Sequence, residues 1–155
     1  MKRILLLTQH DEYLDFEYKA LVEALCFRSD VELILITKVG YKGVLINQCT
    51  QFFQVDIKSK FDLLAILKIR NIVKEKRIDT IYTHTSRASA VSFLATLYIS
   101  GVSIVLRRGI RGKLSPFSVP DCLSFYNNKV SKVIALSKAI KGDLKASLFF
   151  NEKKC

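Results

Sequence analysis

The chain has 155 residues, of which 50% are hydrophobic and 10% are aromatic, and this composition excludes a disordered chain. We therefore expect one domain with its own core, spanning residues 1–155. The formal net charge of +11 predicts an anionic partner, and a nucleic acid, a phosphorylated substrate and an anionic membrane surface all fit that description.

The cysteines and one uncharged run bear on the class of protein. The four cysteines, Cys26, Cys49, Cys122 and Cys155, are widely spaced and form no C-x-x-C pair. This spacing argues against a zinc site and a disulfide framework, so we expect reduced thiols, with Cys26 on the core face of a helix. The run from Ala88 to Leu106 carries no charge, and its length approaches that of a membrane span. Its "SGVS" at Ser100–Ser103 instead indicates a buried helix followed by a buried strand.

Short apolar runs alternate with amphipathic stretches, which predicts strands alternating with helices. The predicted strands are Ile4–Thr8, Val31–Thr37, Phe52–Ile57, Asp79–Thr83, Val102–Leu106 and Lys132–Leu136. The predicted helices are Glu12–Phe27, Phe61–Lys76, Ser86–Ile99, Pro120–Asn128 and Lys138–Phe149. The apolar face of the second helix is assigned to Leu64, Leu67, Ile72 and Val73. Ser118 and Ser137 are the predicted N-caps of the last two helices.

This alternation predicts an α/β sandwich with a parallel sheet. Right-handed crossovers bring the carboxyl ends of parallel strands to one edge, where ligands bind near the reversal of strand order. Residues that follow predicted strands, and are expected at this edge, are His84, Arg107, Arg108 and Ser137. The chain contains no G-x-G-x-x-G fingerprint, no P-loop and no G-x-S-x-G elbow, which disfavours ordinary dinucleotide and NTP binding.

His84 is one of two histidines in the chain and follows the strand-like "TIYT". A histidine in this position can donate hydrogen bonds to a hydroxyl or a phosphate, or act as a base. It can equally be a packing residue that the local backbone satisfies. No Ser-His-Asp set surrounds it in sequence, so position alone leaves both interpretations open.

Two basic segments can each be interpreted in two ways. The segment Arg107–Lys113 reads "RRGIRGK", and its four cations and two glycines indicate an anion cradle or a solvated loop. The helix Phe61–Lys76 and its flanks carry Lys60, Lys68, Arg70, Lys74, Lys76 and Arg77. These cations indicate a solvated face or attraction to anionic lipid. Nucleic-acid binding is disfavoured, because no recognition module accompanies the charge and the aromatic residues are scattered.

The second half of the chain resembles the N-terminal domain of family 4 glycosyltransferases. The residues that carry the resemblance are "IDTIYTHTSRASAVSFLATLYISGVSIVLRRGIRG" and "PFSVPDCLSFYNNKVSKVIALSKAIKGDL". In that family a strand ends on a histidine that faces the cleft between two domains. The resemblance implies the GT-B fold, of which this chain would be one half, a Rossmann-like three-layer sandwich with a mainly parallel sheet.

The resemblance also implies roles for individual residues. His84 would be catalytic and would face the donor sugar or the charge that develops in the cleft. The substrate-binding positions would be Thr85, Arg87, Arg107, Arg108, Gly109 and Arg111. Family members are usually metal-independent, so no metal and no cofactor are expected. The expected partners are a nucleotide sugar as co-substrate and a glycan or lipid-phosphate acceptor of the surface-polysaccharide or lipopolysaccharide type.

The chain departs from the family in two places. Thr8–Tyr13 contains no glycine, which puts the usual backbone approach to ligand there in doubt. The chain also ends at "SLFFNEKKC", where the family continues into a donor-binding domain. We therefore expect an acceptor-side domain that is inactive alone, cytoplasmic, and peripheral on the inner face of the membrane. The alternatives are a non-catalytic subunit that recruits a separate donor-binding chain and a basic nucleic-acid-binding module.

Overall fold

A computed structural model of the chain describes residues 1–9, 15–43, 45, 51–147 and 150–155. The strands are β1 Lys2–Leu7, β2 Val31–Thr37, β3 Gln51–Gln54, β4 Thr80–Thr83, β5 Ser103–Arg108 and β6 Val130–Ala135. The helices are α1 Asp15–Cys26, α2 Leu63–Glu75, α3 Ser86–Thr96, α4 Val119–Asp121 and α5 Lys138–Lys145. A π-helical turn, Cys122–Tyr126, follows α4, and a 3₁₀ turn spans Glu152–Lys154.

The six strands form one parallel sheet in the order β3-β2-β1-β4-β5-β6. The order reverses between β1 and β4, and ligands of open parallel sheets bind outside the carboxyl ends of the strands near such a reversal. The predicted α/β architecture and its parallel sheet are therefore confirmed. Helices connect β1 to β2, β3 to β4, β4 to β5 and β5 to β6, because parallel neighbours need a crossover.

The core lies on both faces of the sheet. The apolar side chains of α1, including Val22, pack with Leu6, Leu33 and Leu35 on one face. On the other face α2, α3 and α5 pack over Leu5, Ile34, Ile81, Ile104 and Leu106. Side chains of successive strand residues alternate between the two faces, which is why apolar runs without polar interruption form β1 and β2.

The serine and aspartate caps fix where the helices begin. The Ser137 side chain accepts a hydrogen bond from the Ile140 backbone N–H at 3.2 Å, and the Ser118 hydroxyl accepts one from Asp121 N–H at 3.4 Å. Both predicted caps are confirmed. Asp62 caps α2 by accepting from Ala65 N–H at 3.1 Å.

The structure corrects the predicted core of α2. Leu64 and Leu67 are exposed, whereas Ile72 and Val73 are buried as predicted, together with Ala65 and Ile69. These four share one side of the helix at spacings of four and three residues. Leu64 precedes Ala65 by one residue, so it lies about 100° away around the helix. Cys26, predicted on a core face, is also exposed.

Element boundaries differ in several places. The predicted third strand ends at Gln54, and the chain continues as a loop whose Val55 and Ile57 are still buried. The predicted helix 120–128 is divided between α4 and the π-helical turn. α5 ends at Lys145 with Ala146 as its C-cap, before the predicted end at residue 149. The predicted start of α1 at residue 12 lies outside the described residues.

The uncharged run 88–106 is divided between α3 and β5, as predicted. Among the described residues, no helix combines the length and apolar character needed to cross a membrane.

Candidate functional site

A pocket of about 560 Å³ opens at the carboxyl ends of β4 and β5. Its volume lies within the range of sites that hold small ligands. The lining residues come from the ends of both strands, the start of α3, the loop after β5 and the π-helical turn. They are His84, Thr85, Ser86, Arg107, Arg108, Gly109, Ile110, Asp121, Phe125 and Leu136.

His84 and Arg107 enter the pocket side by side. Thr83 pairs with Leu106 in the sheet, so the residue after each of them points to the opposite face, toward α1. There the His84 ring contacts the ring of Tyr18 edge-on, with centroids 5.6 Å apart at 61°. The Arg107 guanidinium carbon lies 5.9 Å from the centroid of the same ring. Tyr18 is only 3% exposed, so a rigid aromatic ring supports both functional candidates.

Arg108 points to the other face of the sheet. Its guanidinium carbon lies 4.9 Å from the centroid of Phe125, and Nη2 donates to the Gly112 carbonyl oxygen at 2.9 Å. Partial burial lowers the pKa of Arg108, and the carboxylates of Asp121 and Asp143 oppose that shift. Nε is buried without a hydrogen-bond acceptor in the described parts of the chain, which leaves a donor for a ligand.

The first turn of α3 forms one wall. Thr85 is the N-cap, and its hydroxyl oxygen accepts from the Ala88 N–H at 3.0 Å. The cap holds α3 so that the positive end of its dipole faces the pocket, an arrangement that favours anions. Thr85 therefore lies where the sequence analysis expects it, with a structural role as well as a place in the lining.

Two serines fix α3 to the π-helical turn. Ser89 Oγ donates to the Ser124 carbonyl oxygen at 2.8 Å, and Ser124 Oγ donates to the Ser86 carbonyl oxygen at 2.8 Å. Both side chains are fully buried, so water does not compete for these bonds. The pair fixes Phe125, and with it the aromatic surface beneath Arg108.

Two predicted site residues lie outside this pocket. Arg87 lines a neighbouring pocket of about 300 Å³ with Gln9, Asp56 and Lys58, and its Nη1 donates to the Ile57 carbonyl oxygen at 3.3 Å. Arg111 pairs with Asp143, with Nε 3.2 Å from Oδ2. That carboxylate also accepts from the Gly112 N–H at 3.0 Å, so Arg111 contributes to the shape of the loop.

The remaining predicted residues line the pocket, whereas several other lining residues and the supporting Tyr18 were not predicted. His84, Arg107, Arg108 and Gly109 all line it. Tyr18, Asp121, Phe125 and Leu136 were not predicted to take part. Asp121 was visible only as a capping residue, and no local signal shows that Tyr18 on α1 reaches the end of β4.

The arrangement favours an anionic ligand with an apolar part. Two guanidinium groups and a helix N-terminus outweigh the single carboxylate of Asp121 among the lining residues. Phe125, Ile110 and Leu136 supply apolar surface on the same walls. A ligand with a phosphate group and a ring or chain matches this combination.

The comparisons with known proteins define the class. The family described as "Glycosyl transferase 4-like" matches residues 3–108, a stretch that includes β1 to β5 and ends at Arg108. The chain belongs to this family. No curated protein matches it significantly.

Solved structures share the fold and are considerably longer. A glycosyltransferase from Rickettsia africae ESF-5 superposes with a TM-score of 0.68 at 21% identity, covering 99% of this chain and 41% of that one. The lipopolysaccharide outer core galactosyltransferase WaaB in its apo form gives 0.68 at 12% identity, covering 99% and 44%. Anabaena Alr3699/HepE, solved in complex with UDP, gives 0.65 at 20% identity, covering 99% and 42%. The fold is that of one Rossmann-like part of GT-B glycosyltransferases, and the chain spans less than half the length of these proteins.

Proposed function

We propose that residues 1–155 are the acceptor-side domain of a glycosyltransferase. The reaction would transfer a sugar from a nucleotide sugar to a glycan or lipid-linked acceptor, of the cell-surface polysaccharide or lipopolysaccharide type. The observation that carries the proposal is the pocket at the carboxyl ends of β4 and β5, where His84, Arg107 and Arg108 meet the N-terminus of α3. Membership of the glycosyl transferase 4-like family supports sugar transfer as the chemistry of that pocket.

The proposal assigns a role to each group. His84 is the catalytic residue and faces the donor sugar, where its ring can donate a hydrogen bond or hold a proton as charge develops. Arg107 and Arg108 hold a phosphate, because guanidinium groups match its oxygens in a fork. Thr85 and Gly109 shape the wall beside that phosphate.

Arg87 serves the neighbouring pocket in this proposal. Together with Lys58 it would attract an anionic part of the acceptor that extends past the first turn of α3. Arg111, also predicted to bind substrate, has a structural role in this proposal, because its guanidinium is engaged by Asp143.

The donor would be held mainly by a second domain. WaaB and Alr3699/HepE are more than twice as long as the part this chain covers, and the latter was solved with UDP. In our proposal that second half is supplied by a separate chain or by a further segment, and residues 1–155 are inactive alone. The complete enzyme would be cytoplasmic and would reach its acceptor at the inner face of an anionic membrane.

A genetic experiment tests the proposal. The gene is deleted in the source organism, and the deletion is complemented with wild-type protein or with the double variant Arg107→Gln/Arg108→Gln. Mass spectrometry of the surface glycans should show a missing sugar in the deletion strain, restored by wild type and not by the double variant. Unchanged glycans in the deletion strain would refute the proposal.

A biochemical control separates the assignment to sugar transfer from the claim that the donor is bound outside residues 1–155. Purified 155-residue protein, incubated with nucleotide sugars and membrane lipids, should transfer no sugar. Turnover by the purified chain would contradict a donor-binding half elsewhere, while leaving the assignment to sugar transfer intact. A His84→Ala protein that restores the glycan fully would favour a non-catalytic recruiting subunit.

A further inference from the structure

A further pocket lies at the amino ends of β4 and β5, on the edge of the sheet opposite the candidate site. Its volume is about 340 Å³, within the range of sites that hold small ligands. The end of α2 forms one wall, and the chain that joins α3 to β5 forms the other. We call it the amino-edge pocket, and its polar lining includes Lys74, Arg77, Asp79, Ser100, Gly101 and Val102.

Three successive backbone N–H groups of this pocket donate no hydrogen bond within the described parts of the chain. They belong to Ser100, Gly101 and Val102, which lie between α3 and the first residue of β5. Gly101 has φ of +78°, and in turns with such a left-handed residue successive N–H groups converge on an anion. Val102 is only 7% exposed, so water has little access to that residue. The three N–H groups are therefore available to a ligand that accepts hydrogen bonds.

Two cations share the pocket with these N–H groups. Lys74 and Arg77 line it from the end of α2, and neither side chain pairs with an acid in the part of the chain that the structure describes. Asp79 is the one acid among the described lining residues, and its carboxylate accepts from the Arg3 N–H at 2.8 Å. The charge of the lining therefore favours an anion.

Carbonyl groups at the ends of α2 and α3 would repel an anion, because helix dipoles are negative there. Two of those that lie next to the pocket are already hydrogen-bonded. The Val73 carbonyl oxygen accepts from the Ile78 N–H at 3.0 Å. The Ile99 carbonyl oxygen accepts from the Lys129 ammonium group, which brings a third positive charge to the wall of the pocket. The repulsion from the helix ends is thereby reduced.

We infer that the amino-edge pocket binds a phosphate group, either as free phosphate or as the monoester of a small molecule. The N–H groups of Ser100, Gly101 and Val102 donate to the phosphate oxygens, and Lys74 and Arg77 neutralise the charge. A tetrahedral phosphate offers enough oxygens to meet N–H groups and cations from both walls. The site lies on the other edge of the sheet from the candidate site, so the inference does not depend on the proposed function.

NMR spectra of the isotope-labelled 155-residue chain test the inference amide by amide. The probe is sodium phosphate, added at constant ionic strength with sodium chloride as the balancing salt, because salt screens exposed charges. The amide signals of Ser100, Gly101 and Val102 should shift along one saturable curve, with a dissociation constant of about 1 mM or lower. Sodium chloride alone should leave these signals in place.

A double variant and a matched control test the two cations. Lys74→Gln/Arg77→Asn should weaken phosphate binding by about tenfold or more, because hydrogen bonds between charged groups are lost. Asparagine tolerates the φ of +50° that residue 77 has at the end of α2, so the backbone is kept. The control Lys138→Gln/Lys141→Gln removes two exposed cations from α5 and changes the net charge equally. It should bind phosphate at the amino-edge pocket as wild type does.

Glucose 6-phosphate distinguishes the two sources of the phosphate group. If it shifts the same amides and binds more tightly than inorganic phosphate, the ligand is a monoester. If it binds more weakly at those amides, the ligand is inorganic phosphate. Both results support the inference. Glucose lacks the phosphate group and should shift none of these signals.

Four outcomes would overturn the inference. Three are no saturable shift of the Ser100, Gly101 and Val102 signals in the folded wild-type chain, unchanged binding by Lys74→Gln/Arg77→Asn, and equal weakening in the control variant. The fourth is a phosphate-dependent shift only at Thr85 and Gly109, which would place the anion in the candidate site instead. Different amides report on the two pockets, so failure of this inference and failure of the proposed function are distinguishable.

Discussion

The ring of His84 contacts the ring of Tyr18 edge-on, with centroids 5.6 Å apart, and so a buried residue of α1 supports the side chain that follows β4. Arg107 lies over the same tyrosine at 5.9 Å. A catalytic group must be held in one rotamer by its surroundings to be useful. Tyr18 provides that support for two neighbouring site residues at once.

Tyr18→Ala should therefore damage both stability and function. Removing a buried aromatic ring should lower the free energy of unfolding by about 3–5 kcal/mol, measured by urea denaturation. Tyr18→Phe keeps the ring and should cost less than about 1.5 kcal/mol, with sugar transfer in the complemented strain largely retained. Equal effects of the two substitutions would contradict a role for the ring itself.

Substitutions of Arg108 and Arg111 form a matched pair of tests. Arg108 lines the pocket, whereas Arg111 supports the structure of the loop. Arg108→Gln removes a guanidinium that lines the pocket and should reduce sugar transfer at least about tenfold, since hydrogen bonds between charged groups are among the strong ones. Arg111→Gln removes a cation that Asp143 already occupies, so transfer should change less than about threefold. An equal loss of sugar transfer in both variants would indicate that Arg111 contacts the ligand.

The sequence predicts the site residues that follow strands, but not those whose position depends on the packing of helices. His84, Arg107, Arg108 and Gly109 are predictable because the carboxyl ends of parallel strands meet at one edge. Tyr18 is not, because its place depends on how α1 crosses the sheet. Arg111 looks equivalent to Arg108 in sequence, and only the position of Asp143 on α5 shows that its charge is used.

The sequence likewise predicts some features of the fold and not others. Runs such as Val31–Thr37 predict buried strands directly, and all six strands are found. The face of α2 is misassigned because Leu64 and Leu67 fit an apolar helix pattern as well as Ala65 and Ile69 do. Hydrophobicity alone does not distinguish the core residues of a helix from its exposed apolar residues.

Two glycines of the basic loop should respond differently to alanine. Gly112 has φ of +125°, a backbone conformation that disfavours any side chain, so Gly112→Ala should destabilise the protein by about 1–3 kcal/mol. At Gly109 an added Cβ would meet Leu136 Cδ1 at 3.2 Å. Leu136 is half exposed and can move, so Gly109→Ala should alter stability little and narrow the pocket.

The transfer assay and thermal unfolding check this contrast. Gly109→Ala should reduce transfer at nearly wild-type stability, and Gly109→Ala/Leu136→Ala should recover it by removing the contact. If the double variant is no better than the single one, the contact with Leu136 is not the cause.

The lowered pKa of Asp143 predicts that the free energy of unfolding decreases in acid. Its hydrogen bond to Arg111, supported by the Gly112 N–H, lowers its pKa below the ordinary value. A carboxylate with a depressed folded-state pKa contributes stability above its unfolded-state pKa of about 4, and this contribution is lost as the pH falls through the folded-state value. Arg111→Gln removes the largest cause of the shift. Urea denaturation between about pH 7 and pH 3 should show that the free energy of unfolding falls less steeply for the variant than for wild type. Parallel pH profiles for the two proteins would refute the linkage.

The most direct test of the proposed function is sugar transfer by His84→Ala in the complemented deletion strain, measured together with its thermal unfolding. We expect a folded protein with a transition close to that of wild type and transfer reduced about a hundredfold or more, the scale of a lost proton-transfer or hydrogen-bonding group. A His84→Ala protein that transfers sugar at the wild-type rate would contradict it. Collapse of the fold with residual transfer in proportion to the folded fraction would assign His84 to packing.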